Sequence, residues 1–335
     1  MSETNVQVLL ASRPEGLPKS SDFEIVEQAV RPPEEGEVVV RSIYLSLDPA
    51  MRGWMSDRKS YIPPIGIGEV MRGLGAGEVV ESKHPGLSPG DRVTGLLGWQ
   101  RFATVPGKEL EKLPPEVPLT LAMGPLGMTG LTAYFGLLDI GQPKEGETVL
   151  VSGGAGAVGS IVGQIARIKG CRVVGIAGSD DKCQWLVDDL GFDAAFNYKT
   201  TELHDEIRRT CPNGIDVYFD NVGGEILDAA LARINRGARI AICGAISQYN
   251  ATEAVPGPSN YLSLLINRAR MEGFIIFDYR DRFRAAQAEL GQWIQAGKIQ
   301  ARYDIVDGLE NGPQALLRLF DGRNTGKLLV RISAE

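Results

Sequence analysis

The run Gly153-Gly154-Ala155-Gly156-Ala157-Val158-Gly159 follows an apolar stretch, Val149-Leu150-Val151-Ser152, and leads into a segment with helical periodicity, Val158–Ile168. Strand, small-residue turn and helix start, in that order, gather unhindered backbone N–H groups at one point. Small residues let the backbone bend sharply and approach an anion, and Gly159 lets the helix lie close to the strands. The pattern is a variant of G-x-G-x-x-G, here Ala155-x-x-x-Gly159 with glycines at 153, 154 and 156. Its chemistry is to hold a pyrophosphate at a helix N terminus. A glycine motif alone is weak. This one lies inside repeated strand–helix units, which favours a dinucleotide site over a structural turn.

The second strand-like run discriminates between dinucleotides. NAD is held by an acidic residue about 20 residues beyond the motif, on the ribose 2′-hydroxyl. Here the run ends Val174-Gly175-Ile176-Ala177-Gly178, with no carboxylate at its tip. Ser179 then reads as an N-cap, with Asp180 and Asp181 in a first helical turn. Lys182 is within reach of a 2′-phosphate, and so is Tyr198 after the third strand, although Lys182 taken alone also reads as a solvated helix lysine. The missing acid and the lysine together predict NADP(H).

These residues must be positioned by a parallel sheet. Strand-like runs at Thr148–Ser152, Arg172–Ala177, Ala194–Asn197, Val217–Asp220, Arg239–Cys243 and Phe274–Phe277 alternate with helical segments such as Asp181–Leu190. That alternation predicts an α/β fold, a Rossmann-type doubly wound sheet spanning residues 127–301. The first third differs. Val38-Val39-Val40, Gly77-Glu78-Val79-Val80 and Arg92-Val93-Thr94 are short β-prone runs separated by proline and glycine, which predicts an antiparallel, partly barrel-shaped β domain over residues 1–126. The β-prone runs Tyr303–Val306 and Lys327–Ile332, with a short helix near Gln314–Phe320, are too few for a third domain, so residues 302–335 are expected to complete the first. The charges of a helix over Asp281–Gln295 form a solvated face.

The chain's 335 residues are 43% hydrophobic and 23% charged, the balance of a globular protein of about two domains. A net charge of −7 supplies no broad positive field, which excludes non-specific binding to nucleic acid or an anionic membrane. Four cysteines without a C-x-x-C pair suit a reducing compartment, and two distant histidines lack neighbours at ligand spacing, so no metal site is expected. The polar N terminus has no signal-peptide core, and a cytoplasmic protein is expected. Leu119–Leu138 carries no charge over a length that reaches bilayer thickness. Its glycines and Pro125, and the lack of a basic flank, make it a buried segment instead.

Several stretches carry a family resemblance: Leu45-Ser46-Leu47-Asp48-Pro49, Gly127-Met128-Thr129-Gly130-Leu131-Thr132-Ala133-Tyr134, the Gly153–Gly159 turn, and Phe196-Asn197-Tyr198-Lys199. Phe219-Asp220-Asn221-Val222-Gly223-Gly224 and Cys243-Gly244-Ala245-Ile246-Ser247-Gln248-Tyr249-Asn250 extend it. Over nearly its whole length the chain resembles the zinc-independent medium-chain dehydrogenase/reductases, in the branch of prostaglandin, leukotriene and alkenal double-bond (curcumin-type) reductases. The resemblance implies a GroES-like β domain beside the dinucleotide domain, and NADPH-dependent saturation of the carbon–carbon double bond of a small apolar enal or enone. It implies cofactor contacts at Gly156, Ala157, Val158, Gly159, Lys182, Tyr198 and Asn221. Further contacts are implied at Cys243, Gly244, Ala245, Ile246, Ser247 and Tyr249, at Phe274, Ile275 and Ile276, and at Asn324. It also implies a homodimer joined edge to edge through the nucleotide-binding sheets. Where the family commonly has a tyrosine after Asp-Pro this chain has Ala50, which implies a roomier substrate pocket. Zinc-dependent members of the superfamily carry Gly-His-Glu; the comparable Gly66-Ile67-Gly68-Glu69 lacks the histidine.

Conjugate reduction gathers negative charge on the carbonyl oxygen, so a hydrogen-bond donor is required there. Tyr249, after the fifth strand, is the side-chain candidate, as donor to that oxygen or as a proton relay; it reads equally as a residue that only holds the cofactor, whose ribose hydroxyl would then donate. Met51, Trp54, Tyr61, Met128 and Tyr261 are candidate pocket walls, each of which also reads as core. Two other functions remain open on these residues: a quinone reductase of the same superfamily, and an NADPH-binding protein without turnover.

Overall fold

The computed structural model describes residues 4–335. Its contacts divide the chain into two compact units, Met1–Met123 with Tyr303–Glu335, and Gly124–Arg302.

The first unit opens on an antiparallel hairpin of β1 (Thr4–Leu10) and β2 (Phe23–Ala29). Then come β3 (Glu37–Ser46), a single helical turn α1 (Met51–Trp54), β4 (Gly75–Ser82), β5 (Arg92–Gly95), β6 (Phe102–Pro106), β7 (Glu111–Lys112) and α2 (Leu119–Met123). β3 pairs antiparallel with β4 along its length and with β6 over Glu37–Arg41. Irregularities at Val39/Val40 and Ser42/Tyr44 bend it, as bulges do. Val38, Val40, Val79, Val93 and Ala103 fill the core under these strands.

The second unit begins with α3 (Met128–Phe135). The uncharged stretch is thus divided: α2 and α3 are separated by a turn closed by Gly127 N–H donating to the Gly124 carbonyl (3.0 Å). Among the described residues no helix is long and apolar enough to cross a membrane. Regular alternation follows: β8 (Thr148–Val151), α4 (Ala157–Ile168), β9 (Arg172–Ala177), α5 (Asp180–Asp188), β10 (Ala194–Asn197), α6 (Leu203–Thr210), β11 (Ile215–Asp220), α7 (Gly224–Leu231), β12 (Ile234–Ile242), α8 (Leu262–Asn267), β13 (Arg270–Gly273) and α9 (Phe283–Gln295). All pairs in this sheet are parallel, in the order β10-β9-β8-β11-β12-β13. Winding outward in both directions from β8 gives the doubly wound arrangement expected from the alternation.

Side chains alternate across the strands, and both faces are covered. Val149, Val151, Val173, Val217 and Phe219 pack on one side with Ile161, Val162 and Ile165 of α4. Leu150, Val174, Ile176, Tyr218 and Ile240 pack on the other with Ile207 of α6 and Ala229, Ala230 and Leu231 of α7. Burial on both faces is why these strands are apolar through their central residues. Each fully buried aliphatic side chain of α4 contributes about 1.5–3 kcal/mol.

One element differs from expectation. The sixth strand is Arg270–Gly273, immediately before the Phe274–Phe277 run that was expected to form it. β13 is an edge strand with all four residues exposed, so it needs no apolar side chains. The apolar run leaves the sheet. Phe274 meets Phe219 edge-on at 6.4 Å, and Ile276 starts a 3-10 stretch that runs to Arg282.

The chain closes with β14 (Tyr303–Asp307), α10 (Gly312–Asp321) and β15 (Lys327–Arg331) in the first unit. β15 pairs antiparallel with Tyr44–Ser46 of β3 and parallel with β14. The Lys327 ammonium, almost wholly buried, donates to Ser46 Oγ (2.5 Å) and Asp48 Oδ1 (2.7 Å) and so ties β15 to the Leu45–Pro49 turn.

Candidate dinucleotide site

Because the six strands of the second unit are parallel, whatever follows each strand emerges at one edge of the sheet. The candidate residues do so in turn: Gly156–Gly159 after β8, Lys182 after β9, Tyr198 after β10, Asn221 after β11, Cys243–Ser247 and Tyr249 after β12, and Phe274–Ile276 after β13. The order reverses between β8 and β11, and in open α/β sheets ligands bind at that switch point.

The glycine turn is built for close approach. Gly153 is left-handed (φ +58°), and Gly154 N–H and Gly156 N–H donate to the Ile176 and Gly153 carbonyls, 2.9 Å each. A Cβ on Gly159 would stand 2.9 Å from Gly154 Cα, so only glycine lets α4 start against its own turn. No side chain caps this N terminus; Gly156 itself is the N-cap, in extended conformation. Its first-turn N–H groups and dipole have the chemistry to take a phosphate.

Between β8 and β11 lies a polar network that the sequence reading did not single out. The Asp220 carboxylate, 1% exposed, accepts at Oδ1 from Ser152 Oγ (2.9 Å), Tyr218 Oη (2.8 Å), Val222 N–H (3.0 Å) and Gly223 N–H (2.9 Å). Ser152 Oγ accepts in turn from Asn221 N–H (2.9 Å), and Asn221 Nδ2 donates to the Ser152 carbonyl (2.7 Å). A buried carboxylate met by several donors fixes them in place. The network therefore fixes Asn221 and the turn into α7, where Gly223 and Gly224 have φ of +70° and +59°. Burial pushes the Tyr218 hydroxyl well above its ordinary pKa, which keeps it a neutral donor. Polar Ser152 and Asp220, directly after the apolar runs Val149–Val151 and Val217–Phe219, were the signal available in the sequence.

At the tip of β9, Ser179 caps α5 by accepting from Lys182 N–H (3.4 Å). Asp180 does not face outward unopposed: Asn197 Nδ2 donates to its Oδ1 at 2.9 Å. Lys199, beside the predicted Tyr198, is a further cation here. A Cβ on Gly178 would lie 3.3 Å from both Lys199 Cε and Tyr198 Cε1, so Gly178 leaves room for these side chains over the tip.

The Tyr249 hydroxyl accepts from Ala245 N–H (3.2 Å) and lies 2.9 Å from where a Cβ on Gly244 would be, which folds the phenol onto its own loop. Gly244 N–H and Cys243 N–H both donate to the Asp220 carbonyl (3.1 and 2.9 Å), Ile246 N–H to that of Asn221 (3.2 Å), and Ser247 Oγ to that of Val222 (2.6 Å). Burial, with Asp220 nearby, pushes the Cys243 thiol up to about 12. Met128 opens α3, and Tyr261, more than half exposed, precedes α8.

Four candidates fall in the other unit. Asn324 donates to the Gly326 carbonyl (3.3 Å) in the loop before β15. Met51 is fully buried in the core with Leu47, Met55 and Trp99. Trp54 is nearly buried, with its Nε1 donating to the hydroxyl of half-exposed Tyr61 (3.3 Å). Glu69 accepts from Gly66 N–H (2.7 Å) and closes its own loop. Among the described residues no group of three His, Cys, Asp or Glu side chains is placed to hold a metal ion.

A doubly wound sheet with a glycine turn at a helix N terminus, joined to a largely antiparallel β unit, defines the class of two-domain, dinucleotide-binding oxidoreductases. Residues 6–113 match the model of the "N-terminal domain of oxidoreductase" and residues 157–292 that of "Zinc-binding dehydrogenase". The NADPH-dependent curcumin reductase of Escherichia coli is 47% identical over 99% of this chain and 98% of its own. The NADP(+)-dependent 2-alkenal reductase of Nicotiana tabacum is 43% identical over 99% and 98%. A crystal structure of CurA from Vibrio vulnificus in complex with NADPH superposes with a TM-score of 0.94, at 47% identity, over 98% of this chain and 100% of that one. The chain belongs to the zinc-independent medium-chain dehydrogenase/reductases, in the branch of the curcumin, alkenal and prostaglandin reductases.

Proposed function

We propose that the protein is an NADPH-dependent reductase of the carbon–carbon double bond in apolar α,β-unsaturated aldehydes and ketones. The observation that carries the cofactor is the tip of β9: Lys182 lies in the first turn of α5, Tyr198 and Lys199 lie against Gly178, and of the two acids in that turn Asp180 is engaged by Asn197. The activities in the names of the curcumin and 2-alkenal reductases support the substrate class.

In this reading the α4 N terminus and Gly156–Gly159 hold the pyrophosphate, Lys182, Tyr198 and Lys199 the 2′-phosphate. Asn221, Cys243–Ser247 and Phe274–Ile276 hold the remainder of the cofactor. Bound NADPH supplies a hydride to the β-carbon of the acceptor. The charge that develops on the substrate's carbonyl oxygen needs a donor, and Tyr249 is the phenol after β12. The hydrogen bond that its oxygen accepts from Ala245 N–H polarises the O–H and makes it a better donor. Met128 and Tyr261, in the unit that carries the glycine turn, are candidate apolar contacts for the substrate. Met51, the first residue of α1, has no exposed surface and packs into the core.

The same reading includes a cytoplasmic homodimer. β13 leaves a sheet edge open, and Leu265 and Ile266 of α8 are 75% and 66% exposed, a surface suited to a second copy. Sedimentation should give twice the chain mass, and Leu265→Glu should give monomer.

Steady-state assays with a medium-chain 2-alkenal and a simple quinone test the activity. NADPH oxidation is expected with the enal; oxidation by the quinone alone would assign a quinone reductase, and background rates with both would leave a binding protein.

A further inference from the structure

Asp180, three residues past the end of β9, stands close to where an acid would select the wrong coenzyme. It lies about 20 residues past Gly159, beside the N-cap of α5, the spacing at which a carboxylate takes a ribose 2′-hydroxyl and repels a 2′-phosphate. Yet it shares the tip with Lys182, Tyr198 and Lys199. What holds it there is Asn197, the last residue of β10, 8% exposed. Both ends of this amide are used. Nδ2 donates to Asp180 Oδ1 (2.9 Å), and Oδ1 accepts from Lys199 N–H (3.1 Å). The Asn197 carbonyl accepts from Thr201 Oγ1 (2.9 Å) and Thr200 N–H (3.2 Å), so the clamp has a fixed base. One side chain therefore restrains the acid and sets the backbone that carries the cation.

Resting on the NADPH reading above, we propose that Asn197 is a positioning residue for coenzyme specificity: by tethering Asp180 and anchoring Lys199 it makes the β9–β10 tip select a 2′-phosphate over a 2′-hydroxyl. Selection is a difference between two affinities, so restraining a repulsive group counts as much as supplying an attractive one.

Asn197→Asp isolates the tether. Its side chain keeps an acceptor for Lys199 N–H but replaces the donor to Asp180 with a second carboxylate oxygen, and like charges at that distance repel. The measurement is the affinity of the whole chain for NADPH and for NADH, by coenzyme fluorescence without carbonyl substrate. The NADPH-to-NADH affinity ratio is expected to fall by about tenfold in Asn197→Asp, equivalent to one pair-scale electrostatic change. Adding Asp180→Asn should return it to within about threefold of the parent. Asp180→Asn alone should leave the ratio near the parent value. An unchanged ratio in folded Asn197→Asp overturns the proposal, and so does a loss that persists after Asp180→Asn, since the charge at 197 would then act directly. If thermal unfolding shows Asn197→Asp unfolded, Asn197→Ser, which removes the amide without adding charge, should lower the ratio in the same direction; no change there overturns the proposal. A parent chain that binds neither coenzyme overturns the NADPH reading itself, a separate outcome.

Discussion

At the scale of single residues, the site divides into groups that offer hydrogen bonds outward and groups that hold them there. Tyr249 belongs to the first. Tyr249→Phe removes the hydroxyl and the acceptor for Ala245 N–H, and kcat with an enal should drop by about tenfold to a few hundredfold, at or below the usual general-acid range. The coenzyme affinity of the variant separates the two roles: unchanged binding with lowered kcat marks the proton donor, and weakened binding with unchanged kcat marks a residue that only shapes its loop. Asp220, Ser152 and Asn197 belong to the second group. None was evident as a site residue in the sequence, because a polar residue at a strand's end has many uses, and its hydrogen-bond partners here lie on other elements: Ser152 to Asp220 of β11, Asn197 to Asp180 of α5. The glycine turn was legible because its requirement is local, a backbone conformation and a missing Cβ.

At the scale of elements, α4 and its turn act as one part. Gly159→Ala should push the helix start off Gly153–Gly154, weaken NADPH binding by more than about tenfold and lower Tm, since the added methyl meets backbone that has little freedom to shift. Titration of the folded variant with NADPH checks this; affinity equal to the parent would show that the close packing is not what shapes the cradle. The strands that bury both faces were legible from their apolar runs, Thr148–Val151 and Arg172–Ala177 among them. The sixth was not. β13 is an exposed edge strand, Arg-Met-Glu-Gly, with no apolar pattern to mark it, while the adjoining Phe274–Phe277 run has strand-like composition but packs as an aromatic cluster with Phe219 and Tyr279. Periodicity reports burial, and here burial and strand pairing part company.

For the molecule as a whole, stability should fall on the alkaline side. Burial pushes Cys171, Cys183 and Cys211 up to about 11 and Cys243 to about 12, from an ordinary 9.0. Tyr134 and Tyr303 are likewise pushed up to about 12. Each group ionises more readily in the unfolded chain than in the folded one. Its contribution is therefore complete below pH 9 and is lost as pH rises towards 11 or 12. Urea midpoints should hold steady between pH 7 and 8.5 and decline by pH 10.5; a flat midpoint across that span would show that these groups ionise alike in both states. The same burial keeps the thiols protonated at neutral pH, poor nucleophiles towards an electrophilic alkenal. The destination of the hydride distinguishes double-bond from carbonyl reduction. With NADPH deuterated at the transferred position and a 2-alkenal as acceptor, mass spectrometry and NMR of the product should place one deuterium on the β-carbon of a saturated aldehyde. Deuterium on the carbinol carbon of an unsaturated alcohol would contradict it.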